Sequence, residues 1–252
     1  MTPKQLGRRH DYSSILGEQE FFVTPLIRKS IEEALEMVGA PNLGDRVLDI
    51  GAGECPLRPD LEARGYCYTS LDISQNLSKS IDYLTRIDGP LPDRLIRQGG
   101  FDLLVLTEVL EHVPDWAMAF QNLAGLLNPG GHCIVTTPFF YMLHEEPHDY
   151  WRATDHALRK FALDNGMDVV FSRRNGGGWD VLGTLVCSTS VCRRKKNLVC
   201  YMGLFPVWLA HRILKWFFKS RVLERFVEFQ MRYYLGNFFL LKKVRNSTKI
   251  QS

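Results

Sequence analysis

Two stretches of this chain hold residues whose types and spacing suit chemistry. The first is Asp49-Ile50-Gly51-Ala52-Gly53-Glu54, followed 19 residues after Gly53 by Asp72. Glycines let a backbone turn sharply and approach a ligand with no Cβ in the way. A carboxylate at that distance is placed to accept both hydroxyls of a ribose. A dinucleotide site would add a third glycine where Pro56 stands, opening a helix N-terminus toward a pyrophosphate. Without it, the pattern keeps the ribose carboxylate and the close backbone but drops the anion cradle, which suits a nucleoside ligand lacking phosphate. The second stretch is residues 137–154, carrying His144, Glu145, Glu146, His148, Asp149, Tyr150, Trp151 and Arg152. An imidazole near neutrality suits removal of a proton from a hydroxyl, so His144 and His148 are candidate bases. Glu145, Glu146 or Asp149 would orient the imidazole or hydrogen-bond the acceptor. Tyr150 and Trp151 offer flat faces, and Arg152 would hold an anionic group. The same run also reads as a structural lid in which Arg152 pairs with Glu145 or Glu146 and the aromatics pack as core.

The elements that must position these residues follow from hydrophobic periodicity. Leu26, Ile27, Ile31, Ala34, Leu35 and Val38 paint one stripe on a helix over 25–38. Short apolar runs at 46–50, 66–72, 101–106, 132–137 and 166–173, with a further strand pattern at 236–243, read as strands buried on both faces. Helical periodicity over 117–127 stops at Asn128-Pro129-Gly130-Gly131, and 156–164 is a further helix. Strands alternating with helices predict an α/β, doubly wound and mainly parallel sheet. In such a sheet ligands bind beyond the carboxyl ends of the strands, which is where both stretches fall.

Thr107-Glu108-Val109-Leu110-Glu111-His112-Val113-Pro114 after one strand, then Leu127-Asn128-Pro129-Gly130-Gly131 before the next, resemble the signatures of class I methyltransferases, in the same order and spacing as the glycine pair and Asp72. The resemblance covers roughly 47–170. It implies a Rossmann-like seven-stranded sheet and S-adenosylmethionine as cofactor. It also implies that Asp49, Gly51, Ala52 and Gly53 line the methionine end, Asp72 and Ile73 the ribose and adenine, and Thr107 and Glu108 the floor. Asp88 would meet the adenine amino group, although the spacing before Phe101 departs from the usual pattern. Glu111 and His112 are expected either to serve the site or to cap or brace the following helix. The 137–154 run is similar to a subset of these enzymes encoded among genes for surface-polysaccharide assembly. That likeness makes the acceptor a saccharide hydroxyl, with Tyr150 and Trp151 as the sugar platform and Glu146 and Arg152 binding it.

Composition narrows the remainder. Of 252 residues, 31 Lys and Arg nearly balance 28 Asp and Glu, so no nucleic-acid partner is indicated. The six cysteines (Cys55, Cys67, Cys133, Cys187, Cys192 and Cys200) show no paired-ligand spacing, so no metal site is assigned. With a polar N-terminus, they point to a cytoplasmic setting. The expected organisation is a catalytic domain over 1–175 and 234–246, interrupted by an apolar helical insertion over 176–233. Within the insertion, Arg193, Arg194, Lys195 and Lys196 precede a stretch containing Pro206, His211, Arg212 and Lys215, which argues against a clean membrane span. Leu209, Ile213, Trp216, Phe217, Leu223, Phe226 and Val227 are expected on one side, and Arg212, Lys215, Lys219 and Arg225 on another. That pattern fits 193–233 lying on a membrane surface, or burial against the domain or a second copy of the chain. His132 is expected to be a core or edge residue, and His10 and His156 have no supporting constellation. Three functions remain: methylation of a glycan hydroxyl, methylation of a small lipophilic phenol or quinone-type acceptor, and a non-catalytic module that binds a membrane or a partner.

Overall fold

A computed structural model describes residues 17–191, 198–229 and 232–245. Seven strands form one sheet: β1 (Arg46–Ile50), β2 (Cys67–Asp72), β3 (Tyr83–Leu84), β4 (Phe101–Thr107), β5 (Leu127–Pro138), β6 (Met167–Asn175) and β7 (Gly236–Lys243). Their spatial order is β3-β2-β1-β4-β5-β7-β6, with β7 antiparallel to both neighbours and the other pairings parallel. Chain order reverses between β1 and β4, so the carboxyl ends of these two strands flank a crevice.

The continuous apolar runs arise because consecutive residues serve opposite faces. Val47, Leu103, Val105, Ile134, Phe238 and Leu240 pack with Ile27, Ile31, Ala34 and Leu35 of α1 (Thr24–Val38). Leu48, Leu104, Leu106, Val135, Phe239 and Leu241 pack on the other face against Phe120 and Leu123 of α4 (Trp116–Leu126) and Leu158 and Ala162 of α5 (Asp155–Asp164). Shorter helices α2 (Arg58–Ala63) and α3 (Asp93–Arg97) and the two-residue β3 lie in stretches whose apolar residues are too few to show a period. β5 begins at Leu127, five residues earlier than the sequence pattern indicates. Asn128-Pro129-Gly130-Gly131 therefore ends the helix and opens the strand at once, where the register against β4 shifts between Phe101 and Leu103.

Between β6 and β7 lie α6 (Gly178–Cys187) and α7 (Leu198–Ser220). Trp179, Val181 and Cys187 of α6 bury with Phe218 of α7, Phe22 and Leu235. Phe217 and Phe218 of α7 pack inward, Lys215 and Lys219 pair with Glu18, and Leu209, Arg212, Ile213 and Trp216 are exposed. Among the described residues no helix is long and apolar enough to cross a membrane. The basic run at 193–196, along with His10, Cys192 and Cys200, lies outside the residues, or the side chains, that are described.

Candidate active site

Beyond the ends of β1, β2 and β4 opens a cavity of about 480 Å³. Its wall contains Asp49, Gly51, Ala52, Gly53, Asp72, Ile73, Asp88, Thr107 and Glu108, together with His112, Tyr141, Met142, His144, Glu145, His148 and Tyr150. The backbone turn after β1 depends on Gly51, at φ +69°. A Cβ there would sit 2.4 Å from Val109 Cγ2. Asp72 is held by two backbone donors, Gly53 N–H to Oδ2 at 2.9 Å and Ser74 N–H to Oδ1 at 3.0 Å, so the β1 turn and the β2 carboxylate are one unit. Asp49 is buried at the end of β1. Desolvation pushes its pKa up to about 7, against the hydrogen bond that Tyr68 Oη donates to Oδ2 at 2.7 Å.

Asp88 accepts Arg86 through both carboxylate oxygens, each at 2.9 Å. Burial works to raise its pKa, but the bonds from Arg86 and the Asp115 amide outweigh burial and hold it below the usual carboxylate range. Its carboxylate therefore reaches the cavity already partnered, and the expected contact with an adenine amino group would have to compete with Arg86.

The loop after β5 is fastened to the turn after β4. Tyr150 N–H donates to Glu111 O at 2.8 Å, His112 Nδ1 bonds His148 O at 2.7 Å, and Trp151 Nε1 donates to Val113 O at 2.9 Å. From β7, Asn237 donates to Ala153 O at 2.9 Å and fixes the end of the loop. These anchors sort the loop residues. His144, Glu145, His148 and Tyr150 face the cavity. Trp151 instead packs against Trp116 with ring centroids 5.6 Å apart, and neither it nor Glu146 lines the cavity. Arg152, expected to hold an acceptor anion, binds Asp149 twice, at 2.5 and 2.7 Å, as well as the carbonyls of Tyr141 and Met142. It braces the loop through Asp149 rather than through Glu145 or Glu146. The Asp149 carboxylate, only 1% exposed, accepts the His144 amide at 2.9 Å and lies 3.3 Å from His144 Nδ1, so it sets the angle of that imidazole. Burial, with the charge of His112, lowers the pKa of His144.

Glu111 and His112 do not cap α4; Asp115 does, accepting from Met118 N–H at 3.0 Å. Instead Glu111 is wholly buried and neighbours His112 and His144, which line the cavity. Sequence reading left this pair between two roles. A Glu-His step ahead of a histidine-rich loop was the available signal, but only the docking of that loop brings His144 to them.

The fold and the residues fit a cationic nucleoside. Among the described residues of the wall, carboxylates come from Glu20, Asp49, Asp72, Asp88, Glu108 and Glu145, and Arg86 alone supplies a fixed positive charge. A pyrophosphate would meet repulsion there, whereas a sulfonium and an ammonium are favoured.

Comparison with known proteins agrees. The methyltransferase-domain family matches residues 22–168, more than half of the chain, and the chain belongs to that family. Its fold is that of the class I S-adenosylmethionine-dependent methyltransferases. A methyltransferase of this type from Archaeoglobus fulgidus superposes with a TM-score of 0.54 at 11% identity, covering 89% of this chain and 97% of its own. Another, from Mesorhizobium loti, gives 0.51 at 16% identity, covering 86% and 100%. Among curated relatives, the ubiquinone biosynthesis O-methyltransferase of Marinobacter nauticus is 29% identical over 126 residues, 46% of this chain and 51% of that protein. The protein of the same name from Xylella fastidiosa (strain 9a5c) is 37% identical over 109 residues, 38% and 43%. The chain thus spans about half the length of these relatives.

Proposed function

We propose that this protein transfers a methyl group from S-adenosylmethionine to the hydroxyl of a small lipophilic acceptor of phenol or quinone type. The observation that carries this choice over a glycan acceptor is the similarity to ubiquinone biosynthesis O-methyltransferases. The cavity supports it: Val23, Ile27, Val109, Val113 and Met142 give the wall a large apolar share. Trp151 and Arg152, which a sugar platform would need, are turned to other partners.

The cofactor supplies an electrophilic methyl carbon on a sulfonium. In this reading Asp72 holds the ribose, and the loop places the acceptor oxygen in line with that carbon. His148, facing the cavity with Nδ1 3.1 Å from Tyr150 Oη, takes the hydroxyl proton. The exposed face of α7 would let the protein meet a lipophilic acceptor at a membrane surface.

Labelled S-adenosylmethionine incubated with phenols bearing an apolar tail, and separately with saccharide acceptors, tests the reading. Transfer to the phenol is expected, reduced about 100-fold in kcat by His148→Ala and abolished with cofactor binding by Asp72→Ala. Transfer to saccharides alone would restore the glycan reading.

A further inference from the structure

Glu111 is a buried acid with little to offset its burial: desolvation pushes its pKa well above the usual carboxylate range, against the charge of Arg152. Its side chain is 0% exposed, and neither carboxylate oxygen has a hydrogen-bond partner among the described residues. A buried carboxylate in that state is costly unless something positive reaches it. Two imidazoles do come near. His112 Nε2 lies 3.7 Å, and His144 Nε2 3.8 Å, from Glu111 Oε1, and one ligand atom from each of the three residues fits within a 4.8 Å spread.

The other ring nitrogens show how these imidazoles are held. His112 Nδ1 is bonded to His148 O at 2.7 Å, and His144 Nδ1 faces Asp149 Oδ2 and Met142 O, each at 3.3 Å. A proton on His112 Nδ1 leaves its Nε2 as the acceptor on the side of Glu111, whereas His144 Nδ1 also lies 3.5 Å from Arg152 Nη2. A backbone carbonyl or carboxylate on the far nitrogen is the arrangement that orients metal-ligating histidines.

We propose that Glu111, His112 and His144 bind one divalent first-row transition-metal cation, with a coordination position open to the cavity. Nitrogen and oxygen donors without thiolate suit zinc, manganese, iron or cobalt. Ligand atoms about 2 Å from a common tetrahedral centre lie about 3.3 Å apart, so the two histidine–carboxylate separations need to close by about half an ångström, and the widest separation in the cluster, within 4.8 Å, by at most about 1.5 Å. The cation supplies the charge that Glu111 lacks. His112, His144 and Glu145 all line the cavity, and Glu145 Oε2 is 4.0 Å from His112 Nε2, so Glu145 is placed to complete the set.

Metal binding itself does not depend on the acceptor; the use made of the open position rests on the proposed methyl transfer. There the cation polarises the acceptor O–H, His148 takes the proton, the oxygen pair forms the O–C bond, and the S–C pair stays on sulfur as that bond breaks.

The test uses the full chain, stripped with a chelator and titrated with Co²⁺ alone, followed by visible absorption and calorimetry. One equivalent is expected, with an imidazole–carboxylate spectrum. Glu111→Gln, His112→Ala and His144→Ala should each weaken it at least tenfold, while exposed His156→Ala leaves it unchanged. Circular dichroism and cofactor binding establish that each variant is folded. Should Glu111→Gln fail to fold, His144→Ala, at a side chain 23% exposed, decides. A folded wild-type protein that takes up no Co²⁺, or variants that bind as wild type does, would overturn the proposal. Since the readout is the metal, it separates this inference from the acceptor assignment.

Discussion

Asp49 shows how burial and function are set against each other in one residue. Its carboxyl is 3% exposed, and its pKa is pushed up to about 7 from an ordinary value of 3.8. The folded protein thus binds this proton more tightly than the unfolded chain does. Below pH 4 the group is protonated in both states and costs nothing. Between pH 4 and 7 the unfolded chain gives up this proton while the folded protein keeps it, and stability is lost, at most ~4 kcal/mol for a shift of about three units. Asp49→Asn should therefore stabilise the cofactor-free protein at pH 8 and progressively less toward pH 4. Denaturant unfolding of both proteins across that range checks this; a gain that does not vary with pH would show that Asp49 is ionised throughout. Asp49 lines the cavity, where an ionised carboxylate would favour a cationic ligand.

At the scale of elements, α7 is the one whose orientation composition left open. Phe217 and Phe218 pack inward and Lys215 and Lys219 pair with Glu18, while Leu209, Ile213 and Trp216 lie on the outside, 43%, 56% and 65% exposed. We propose this face as an interaction surface. The expected outcome is co-sedimentation with vesicles containing anionic lipid, weakened roughly tenfold by Trp216→Glu, on the scale of losing one large apolar side chain from the interface. Unchanged sedimentation in the variant would remove α7 from membrane contact, and a concentration-dependent dimer lost in the same variant would assign the face to a second copy. The loop after β5 behaves differently. Asp149, Arg152 and Trp151 are used to hold it, so it arrives at the cavity already shaped, with His144 and His148 presented and little left to order on binding.

For the whole molecule, the cavity lies where the sheet reverses, and its wall joins the ends of β1, β2 and β4 to the loop after β5. A ligand filling it links elements far apart in sequence. At 100 times its dissociation constant, S-adenosylmethionine should stabilise the fold by about 2.7 kcal/mol, a rise in melting temperature of roughly 5–10 °C for a chain of this size. A dinucleotide such as NAD should give none, because its pyrophosphate meets the carboxylates of the wall. Thermal unfolding with each ligand checks both statements, and an equal shift with NAD would overturn the charge argument.

The sequence by itself determined what depends on local pattern. Apolar runs with the wrong period for helices became β1, β2, β4, β5, β6 and β7, and the glycine pair with Asp72 marked the crevice, because turn chemistry and burial on both faces are written in neighbouring residues. β3, α2 and α3 escaped, being too short to show a period. Tertiary structure alone decided the rest. Which loop residues face the cavity is set by hydrogen bonds to Glu111, Val113 and Asn237, none of them near in sequence. Arg152 reads equally well as a substrate ligand or a brace until Asp149 is seen to hold it. Glu111, His112 and His144 form a cluster only because β5 lies beside β4, carrying its loop back over the turn that follows β4. Side-chain partnership across the fold is a matter of distance in space, and residue types alone do not carry it.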